Sequence, residues 1–359
     1  MKKLRILHIN AEHNWGGGEV QTLYLCQGLQ AKGHTNIIVC PKGSALSKRA
    51  KDSKIKVINI PLKSIFDVFS IFKIRNLIIK NDIDIVHMHT WLAHHIGAIA
   101  SRLSDTKAVV TRRMDFPVKD NLINRLFYDV LVDKVVAISD AVKKAILNSG
   151  ISPYKVLVIN SSLNLKKFNR SAVVSSKNDK IIIGTTSILS ERKGLRYLID
   201  AAPQVIQKHP TVRFHIVGDG PEKHRLISYV KENGLSNYFV FKGLRKDVSK
   251  SMMEFDLFVS TSLHEAFGVS IIESMACKIP IIATSVGGIP EIVKNNKTGI
   301  LVPPKNSKAL SKAILYLLKN PRIAKKMGKE GRKVVEEKFD AKIMVLRYQA
   351  LYYKIINIR

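Results

Sequence analysis

The chain has 359 residues, of which 46% are hydrophobic and 24% are charged, and it carries a formal net charge of +31. This length exceeds one ordinary core and predicts two domains, while the composition argues against disorder. No apolar run approaches the roughly 18 residues that span a bilayer, and three widely spaced cysteines without a C-x-x-C pair suit a reducing cytoplasm and indicate no metal site.

The positive charge narrows the classes of partner. The lysines are spread along the whole chain, and no RRM, zinc-finger or aromatic-basic signature accompanies them, so we expect no nucleic-acid partner. Phosphorylated substrates and anionic lipid surfaces remain compatible with the charge.

Short apolar runs alternate with amphipathic stretches in the first half. This alternation predicts a parallel, doubly wound sheet, with a first helix that stops at Gly33. The predicted strands are 5–10, 36–40, 56–60, 84–89, 108–111, 135–139 and 156–160.

A polar segment, 169–180, predicts a linker, after which the alternation restarts. The strands predicted there are 181–187, 212–218, 239–243, 257–261, 279–284 and 299–302. We therefore predict an α/β protein with two Rossmann-like domains, 1–168 and 181–338, that face a deep cleft. Ligands of such sheets bind beyond the carboxyl ends of the strands, so both domains would direct loops into that cleft. The amphipathic tail, 339–359, would pack back on the first domain.

The stretch "NAEHNWGGGEVQTLYL" (10–25) is a glycine-rich loop between the first strand and the first helix. Gly17 and Gly18 let a ligand approach the backbone, and the helix amides favour an anion, although a tight turn explains the glycines equally well. The loop does not match G-x-G-x-x-G or a P-loop.

Two further loops of the second half suggest ligand binding. Arg192 and Lys193 stand at a helix entrance, where cations oppose the helix dipole, so the pattern favours an anion such as a diphosphate. The alternative is a solvated turn. At the end of another strand, a base could rest against the backbone of Gly243 and Leu244.

The stretch "SLHEAFGVSIIESM" (262–275) places Glu265 before a helix and Glu273 inside it. Glu273 lies where a carboxylate could accept two adjacent ribose hydroxyls, but Ser270 and Glu273 also form the pattern of a capping box. The amides that could point at a phosphate are those of Phe267, Gly268 and Val269.

These motifs together resemble the retaining GT-B glycosyltransferases of the large fourth family, also called group 1. The matching residues of the second half are "RKG" (192–194), "VGDGP" (217–221), "FKGLRKDV" (241–248) and the Glu265/Glu273 pair. The first half adds "GGGE" (16–19), "DIVHMH" (84–89) and "VVAISDAVKKAI" (135–146), so the resemblance covers essentially the whole chain.

The resemblance implies a retaining glycosyltransferase that uses a nucleotide diphosphate sugar of UDP or GDP type. Arg192 and Lys193 would neutralise the diphosphate, Glu273 would bind the ribose and Glu265 the transferred hexose-type sugar. No D-x-D motif occurs in the second half, where the donor would bind, so we expect neither a metal nor another cofactor. In the family the leaving diphosphate is thought to take the acceptor's proton on the same face of the sugar.

Three positions depart from the family pattern. Ile188 replaces a usual arginine, Ser161 follows Asn160 where glycine is usual, and Arg112 and Arg113 occupy the place of a common histidine. With His89, the arginine pair would bind an acceptor, and it suits an anionic glycan or glycolipid of the cell envelope, such as a lipopolysaccharide precursor. The alternatives are a nucleotide-sugar epimerase and a non-catalytic module that binds anionic polymer or lipid.

Residues 62–79, "LKSIFDVFSIFKIRNLII", carry apolar groups on more than one side of a predicted helix. They predict either a core helix or a surface that docks on the anionic inner face of the membrane. We accordingly expect a cytoplasmic protein, with peripheral attachment to that membrane as the alternative.

Overall fold

The computed structural model describes residues 2–116, 124–125, 127–168, 180–245 and 247–357. The chain divides into two compact units, of which the first comprises Met1–Leu163 and Ala341–Arg359 and the second comprises Asn164–Asp340. Most of the predicted linker, 169–180, lies outside the described residues.

The first unit contains a seven-stranded parallel sheet with the order β3-β2-β1-β4-β5-β6-β7. Its strands are β1 (Arg5–Ile9), β2 (Thr35–Cys40), β3 (Lys56–Asn59), β4 (Ile85–Met88), β5 (Lys107–Arg112), β6 (Lys134–Ala137) and β7 (Val156–Val158). Its helices are α1 (Gly17–Ala31), α2 (Ala45–Asp52), α3 (Val68–Lys80), α4 (Trp91–Arg102) and α5 (Asp140–Leu147), with a π-helical turn at Phe127–Leu131 and a 3-10 turn at Pro153–Lys155.

The second unit contains a six-stranded parallel sheet with the order β10-β9-β8-β11-β12-β13. Its strands are β8 (Ile182–Thr186), β9 (Arg213–Val217), β10 (Phe239–Gly243), β11 (Leu257–Ser260), β12 (Ile281–Thr284) and β13 (Ile300–Val302). Its helices are α6 (Leu195–Lys208), α7 (Lys223–Glu232), α8 (Val248–Met253), α9 (Val269–Ala276), α10 (Ile289–Ile292), α11 (Ser307–Lys319) and α12 (Pro321–Lys338), with 3-10 turns at Leu165–Phe168 and Glu191–Lys193.

The last helix, α13 (Ala341–Ile356), belongs to the first unit. Its buried residues, which include Tyr348 and Tyr352, join one apolar cluster with Leu25 and Leu29 of α1. The amide of Ala341 donates to the carbonyl of Leu163 over 3.0 Å, so the chain leaves and re-enters the first unit at neighbouring points.

The predicted α/β class and the two parallel sheets are confirmed, and each predicted strand corresponds to an observed one. The agreement has a physical cause, since strands covered on both faces read as continuous apolar runs. In each sheet the order reverses beside the first strand of the unit, at β1/β4 and at β8/β11. Ligands of doubly wound sheets bind at the carboxyl ends of such strand pairs. Within the described ranges, no helix is both long and apolar enough to cross a bilayer.

Candidate active site

The strand-order reversal of the second sheet brings together two side chains that are 72 positions apart. Lys193 ends the turn after β8, and Glu265 lies in the loop after β11. The Nζ of Lys193 lies 2.6 Å from the Oε2 of Glu265, and both side chains are largely covered. The hydroxyl of Ser262 donates to the same carboxylate oxygen over 3.4 Å. Since no described residue donates to the other oxygen, Oε1, that atom can accept a hydrogen bond from a ligand.

Hydrogen bonds to two backbone carbonyls hold these two loops in register. The carbonyl of Arg192 accepts from the amide of Leu263 over 2.7 Å. The hydroxyl of Thr261 donates to the carbonyl of Lys193 over 2.8 Å. The two loops that carry the charged pair are therefore held together by hydrogen bonds. The side chain of Arg192, next to Lys193 in the chain, is exposed.

A third loop, after β12, contacts the backbone of Glu265. The amide of Gly288 donates to the carbonyl of Glu265 over 3.0 Å. Gly287 has φ +51°, and a Cβ at this position would lie 1.9 Å from the same carbonyl oxygen. Only glycine fits there. Our sequence analysis did not single out Gly287, although the glycine pair Gly287-Gly288, separated from the end of a strand by two residues, was a usable signal.

The helix that carries Glu273 does not begin as a capping box. Its N-cap is Gly268 with φ 112°, and Ser270 is the second residue of the helix rather than its cap. That interpretation of Ser270 and Glu273 was wrong, because Gly268 adopts a left-handed conformation and starts the helix earlier. At this start the amides of Phe267, Gly268 and Val269 form no hydrogen bond with a described residue. The ring of Phe267 is buried against Phe339, so Phe267 offers a ligand only its backbone.

Glu273 is half-buried and has an unusual carboxyl group. No described residue forms a hydrogen bond or an ion pair with its side chain, and burial raises its pKa to about 8. Structural carboxylates at such depth are normally paired. An unpaired carboxyl next to open helix amides is therefore better explained as a ligand-binding group.

The structure places Gly243 and Leu244 at the same edge of the sheet but further from this pair. Gly243 ends β10, and its carbonyl accepts from the amide of Gly218 over 2.9 Å. Strand β9 separates β10 from β8, and Leu244 is 80% exposed. Ile188, where the family pattern has arginine, is exposed as well.

The sequence-predicted groups of the first unit gather at its own strand-order reversal. Gly17 and Gly18 open α1, His89 follows β4, and Arg112 and Arg113 lie at the end of β5. A Cβ on Gly18 would lie 3.4 Å from the Cδ of Arg113, so α1 begins directly against this arginine.

The two arginines have different surroundings. Arg112 is buried and donates from Nη2 to the carbonyl of Phe116 over 2.6 Å, and it also bonds to Tyr128. Burial lowers the pKa of Arg113, against the opposing charges of Tyr348 and Glu19. The Nε atoms of both arginines are buried without a partner in the part of the chain that the structure describes, but only Arg112 has hydrogen bonds to other described residues through its remaining nitrogens. Arg112 therefore anchors its own loop, whereas Arg113 offers a desolvated cation to an anion.

Glu19 keeps the glycine-rich loop in place. Its carboxylate accepts from the amide of Gly16 over 3.0 Å and from the Nδ2 of Asn10 over 3.1 Å. The bond from the amide of the N-cap residue Gly16 to Glu19 at the third helical position is half of a capping box, because glycine has no side chain to complete the other half.

A buried histidine network lies beneath this edge, and our sequence analysis missed it. The ring nitrogens of His8, His87 and His89 lie within 4.8 Å of one another, the spacing of a metal site. Both nitrogens of His87 are occupied, however, by the hydroxyls of Tyr352 (2.6 Å) and Thr111 (2.7 Å). Burial lowers the pKa of His8 to about 4 and those of the other two well below the ordinary value. The arrangement is that of a neutral hydrogen-bonded network. The signal in the sequence was the histidines in two apolar strands.

Comparisons with known proteins identify the family and the fold. Residues 166–334 match the family described as glycosyl transferases group 1, and residues 15–167 match that described as glycosyltransferase family 4. The GPI3 subunit of phosphatidylinositol N-acetylglucosaminyltransferase from Saccharomyces cerevisiae is 30% identical over 79% of this chain and 68% of its own length.

Solved structures show the same fold. A glycosyltransferase from Rickettsia africae is similar with a TM-score of 0.91 and 26% identity, covering 100% of both chains. The HepE protein of Anabaena, in complex with UDP and glucose, is similar with a TM-score of 0.86 and 22% identity, covering 97% of this chain and 99% of its own. Two Rossmann-like parallel sheets of this kind define the GT-B glycosyltransferases. Within that class, the chain belongs to the group 1 family.

Proposed function

We propose that this protein transfers a hexose-type sugar, with retention of configuration, from a nucleotide diphosphate sugar to an anionic glycan or glycolipid of the cell envelope. The observation that carries the proposal is the arrangement at the β8/β11 edge. There an ion pair joins two loops, and the open amides at the start of α9 and an unpaired carboxyl in the first turns of that helix follow Glu265 in the sequence at the same sheet edge.

The diphosphate would lie against Arg192, Lys193 and the amides at the start of α9. An ammonium group has three N–H donors, and Lys193 uses one of them on Glu265, so it keeps donors for a phosphate. These groups would stabilise the negative charge that develops on the leaving diphosphate. We therefore propose no metal and no other cofactor.

The two carboxyl groups would orient the donor from opposite sides of Gly268. The free Oε1 of Glu265 would accept a hydroxyl of the transferred sugar, and Glu273 would accept the ribose hydroxyls. Retention then needs no protein nucleophile, because the departing diphosphate oxygen takes the acceptor's proton on the face that it leaves.

Gly243 and Leu244 would contact the base of the donor through the backbone. The Anabaena structure holds UDP and glucose, so a UDP-sugar is the first donor to test, ahead of a GDP-sugar.

The acceptor would bind at the first unit. Arg113 presents a desolvated guanidinium whose Nε lacks a partner among the described residues. Removing such a charge from water is costly unless an anion binds it. The yeast relative is named for transfer to phosphatidylinositol, which is anionic. A lipopolysaccharide precursor or another phosphorylated glycolipid fits the same chemistry.

A thermal-shift screen followed by a transfer assay tests the proposal. A nucleotide that binds only the native state raises the melting temperature, so we expect UDP or GDP to do so. The matching nucleotide sugar should then label an anionic glycolipid acceptor. A sugar rearranged in the donor without acceptor would favour the epimerase, and the absence of any nucleotide effect would contradict donor binding altogether.

A further inference from the structure

Helix α3 of the first unit has two apolar faces, of which only one is covered. Ile71, Ile74 and Ile78 are buried against the rest of the unit. The large apolar side chains that are more than half exposed in this region are Phe66, Val68, Phe69, Phe72 and Ile79. The core-helix interpretation is thus right for one face and leaves the other unexplained.

The exposed side chains form one continuous surface. At about 100° per residue, Val68, Phe69, Phe72 and Ile79 fall within an arc of roughly 100° on the side away from the buried isoleucines. Phe66 lies two residues before the first residue of the helix and is exposed as well. Single exposed apolar residues are ordinary, but a contiguous patch of this kind marks an interaction surface.

Basic residues border this surface. Residues 61–80 contain Lys63, Lys73, Arg75 and Lys80 against the single acid Asp67. Asp67 is occupied locally, since it caps the helix by accepting from the amide of Ser70 over 3.0 Å. The Nζ of Lys73 lies 4.2 Å from the ring centroid of Phe69, so cation and aromatic ring face solvent together.

Hydrogen bonds anchor α3 at its start and in its middle. In addition to the cap at Asp67, the Nε of Arg75 donates to the carbonyl of Leu103 over 3.0 Å, at the end of α4. Leu103 is also about half exposed and extends the apolar area.

We propose that the exposed face of α3 docks the protein on an anionic lipid surface. Phe66, Phe69, Phe72 and Ile79 enter the boundary between headgroups and acyl chains, while Lys63, Lys73 and Lys80 contact anionic headgroups. Aromatic residues beside lysines on a partly buried helix are the features of interfacial attachment. A second copy of the chain is a poorer occupant, because it would bring an identical basic border against this one.

The proposal stands apart from sugar transfer, so its test uses neither donor nor acceptor. Full-length protein is sedimented with vesicles of phosphatidylcholine alone or mixed with phosphatidylglycerol. We expect binding only to the anionic vesicles and a decrease as salt screens the headgroups.

Two sets of variants separate this face from the overall charge. Phe66→Ser, Phe69→Ser and Phe72→Ser combined should weaken vesicle binding at least 10-fold, whereas Tyr316→Ser and Leu346→Ser, exposed elsewhere, should not. Lys63→Glu, Lys73→Glu and Lys80→Glu combined should weaken it similarly. Lys308→Glu, Lys312→Glu and Lys319→Glu on α11 change the net charge by the same amount and should have a much smaller effect.

A conservative variant gives a direct readout. Phe69→Trp should gain fluorescence that anionic vesicles with brominated acyl chains quench, above the background of Trp15 and Trp91. Equal losses in both lysine sets would show attraction by net charge alone and overturn the proposal. So would undiminished binding of the phenylalanine variant, or a wild-type dimer in solution that this variant dissociates.

Discussion

Lys193 and Glu265, from two loops of the second sheet, form a 2.6 Å ion pair in which each side chain is largely shielded from water. Such a pair gives little net stability, because the cost of desolvation offsets the attraction. Its position at the β8/β11 edge is consistent with a catalytic use instead.

Lys193→Ala should slow sugar transfer by about 100-fold or more, as expected for a cation that faces developing charge. Turnover should fall more than donor affinity, because the diphosphate gains charge as it leaves. Steady-state kinetics with varied donor measure the two effects separately, and Arg192→Ala should change them in the same direction. Lys223→Ala, which breaks a more exposed ion pair with Asp219, is the matched control. If both Arg192→Ala and Lys193→Ala kept wild-type turnover, these two cations would be only solvated side chains of a turn.

Nucleotide affinity should depend on pH through Glu273. Its pKa of about 8 means that the free protein holds this carboxyl protonated at neutral pH. Ribose hydroxyls donate to the ionised form and favour it, so affinity should rise with pH and level off above about pH 8, by at most about 10-fold per pH unit. Calorimetric titration with UDP between pH 6 and 9 measures this trend. In Glu273→Gln the affinity should be lower and should lack the rise between about pH 7 and pH 8, which lies above the titration of the terminal phosphate of UDP at about pH 6. A wild-type profile that is flat between about pH 7 and 8 would contradict the assignment.

The same carboxyl should lower stability in the absence of ligand. The folded-state pKa of Glu273 lies above the ordinary value of 4.5. The contribution of this carboxyl to the free energy of unfolding is therefore most favourable below about pH 4.5 and is lost as the pH rises to about 8. Unliganded Glu273→Gln should therefore melt at a higher temperature than wild type at pH 8.5, and the difference should shrink toward pH 5. Thermal denaturation at both pH values tests this. A variant that melts lower at pH 8.5 would indicate a structural role for the carboxylate.

Gly287→Ala should displace the loop that carries Glu265. The added Cβ would lie 1.9 Å from the carbonyl oxygen of Glu265. We therefore expect the free energy of unfolding to fall by more than the roughly 1–2 kcal/mol that a left-handed alanine costs. We also expect a large loss of transfer activity. Gly234→Ala is the matched control, since Gly234 has φ +68° and open space around its Cβ position. Chemical denaturation and activity of both variants decide the matter, and equal losses would leave Gly287 no special role.

Arg113→Ala should raise the KM for an anionic acceptor by roughly 10- to 100-fold, the range of a hydrogen bond to a charged group, while the KM for the donor stays unchanged. Arg113→Lys keeps the charge but not the planar fork, so it should recover part of the loss. Arg102→Ala, at the far end of α4, should behave as wild type. An acceptor KM that Arg113→Ala leaves unchanged would remove Arg113 from the acceptor site.

Excess EDTA should leave the rate of transfer unchanged, because Arg192, Lys193 and the α9 amides would carry the charge of the diphosphate. Restoration by Mg²⁺ or Mn²⁺ of an activity lost to EDTA would show that a divalent ion shares this task.

The sequence predicted the sheets better than the contacts. Buried parallel strands appear in the sequence as continuous apolar runs, and a glycine with positive φ, such as Gly33, marks the end of a helix. Strands and loops could therefore be located. The pairing of Lys193 with Glu265 depends on strand order, which no local pattern encodes. The Ser270–Glu273 capping pattern failed because the backbone of Gly268 decided where the helix begins. The partners of His87 come from β5 and α13, far away in the chain.

Helix α13 completes the first unit from the distant end of the chain. Tyr352 and Tyr348 supply the hydroxyls that close the hydrogen bonds of His87 and Thr111. During synthesis the first sheet therefore emerges without this cover, while the ribosome adds the roughly 180 residues of the second unit. At 5–20 residues per second this interval lasts about 10–35 s. For that time the apolar side of α1 and the buried histidines stay open to water and to other nascent chains. The first unit can therefore complete these hydrogen bonds only after the whole second unit has been synthesised.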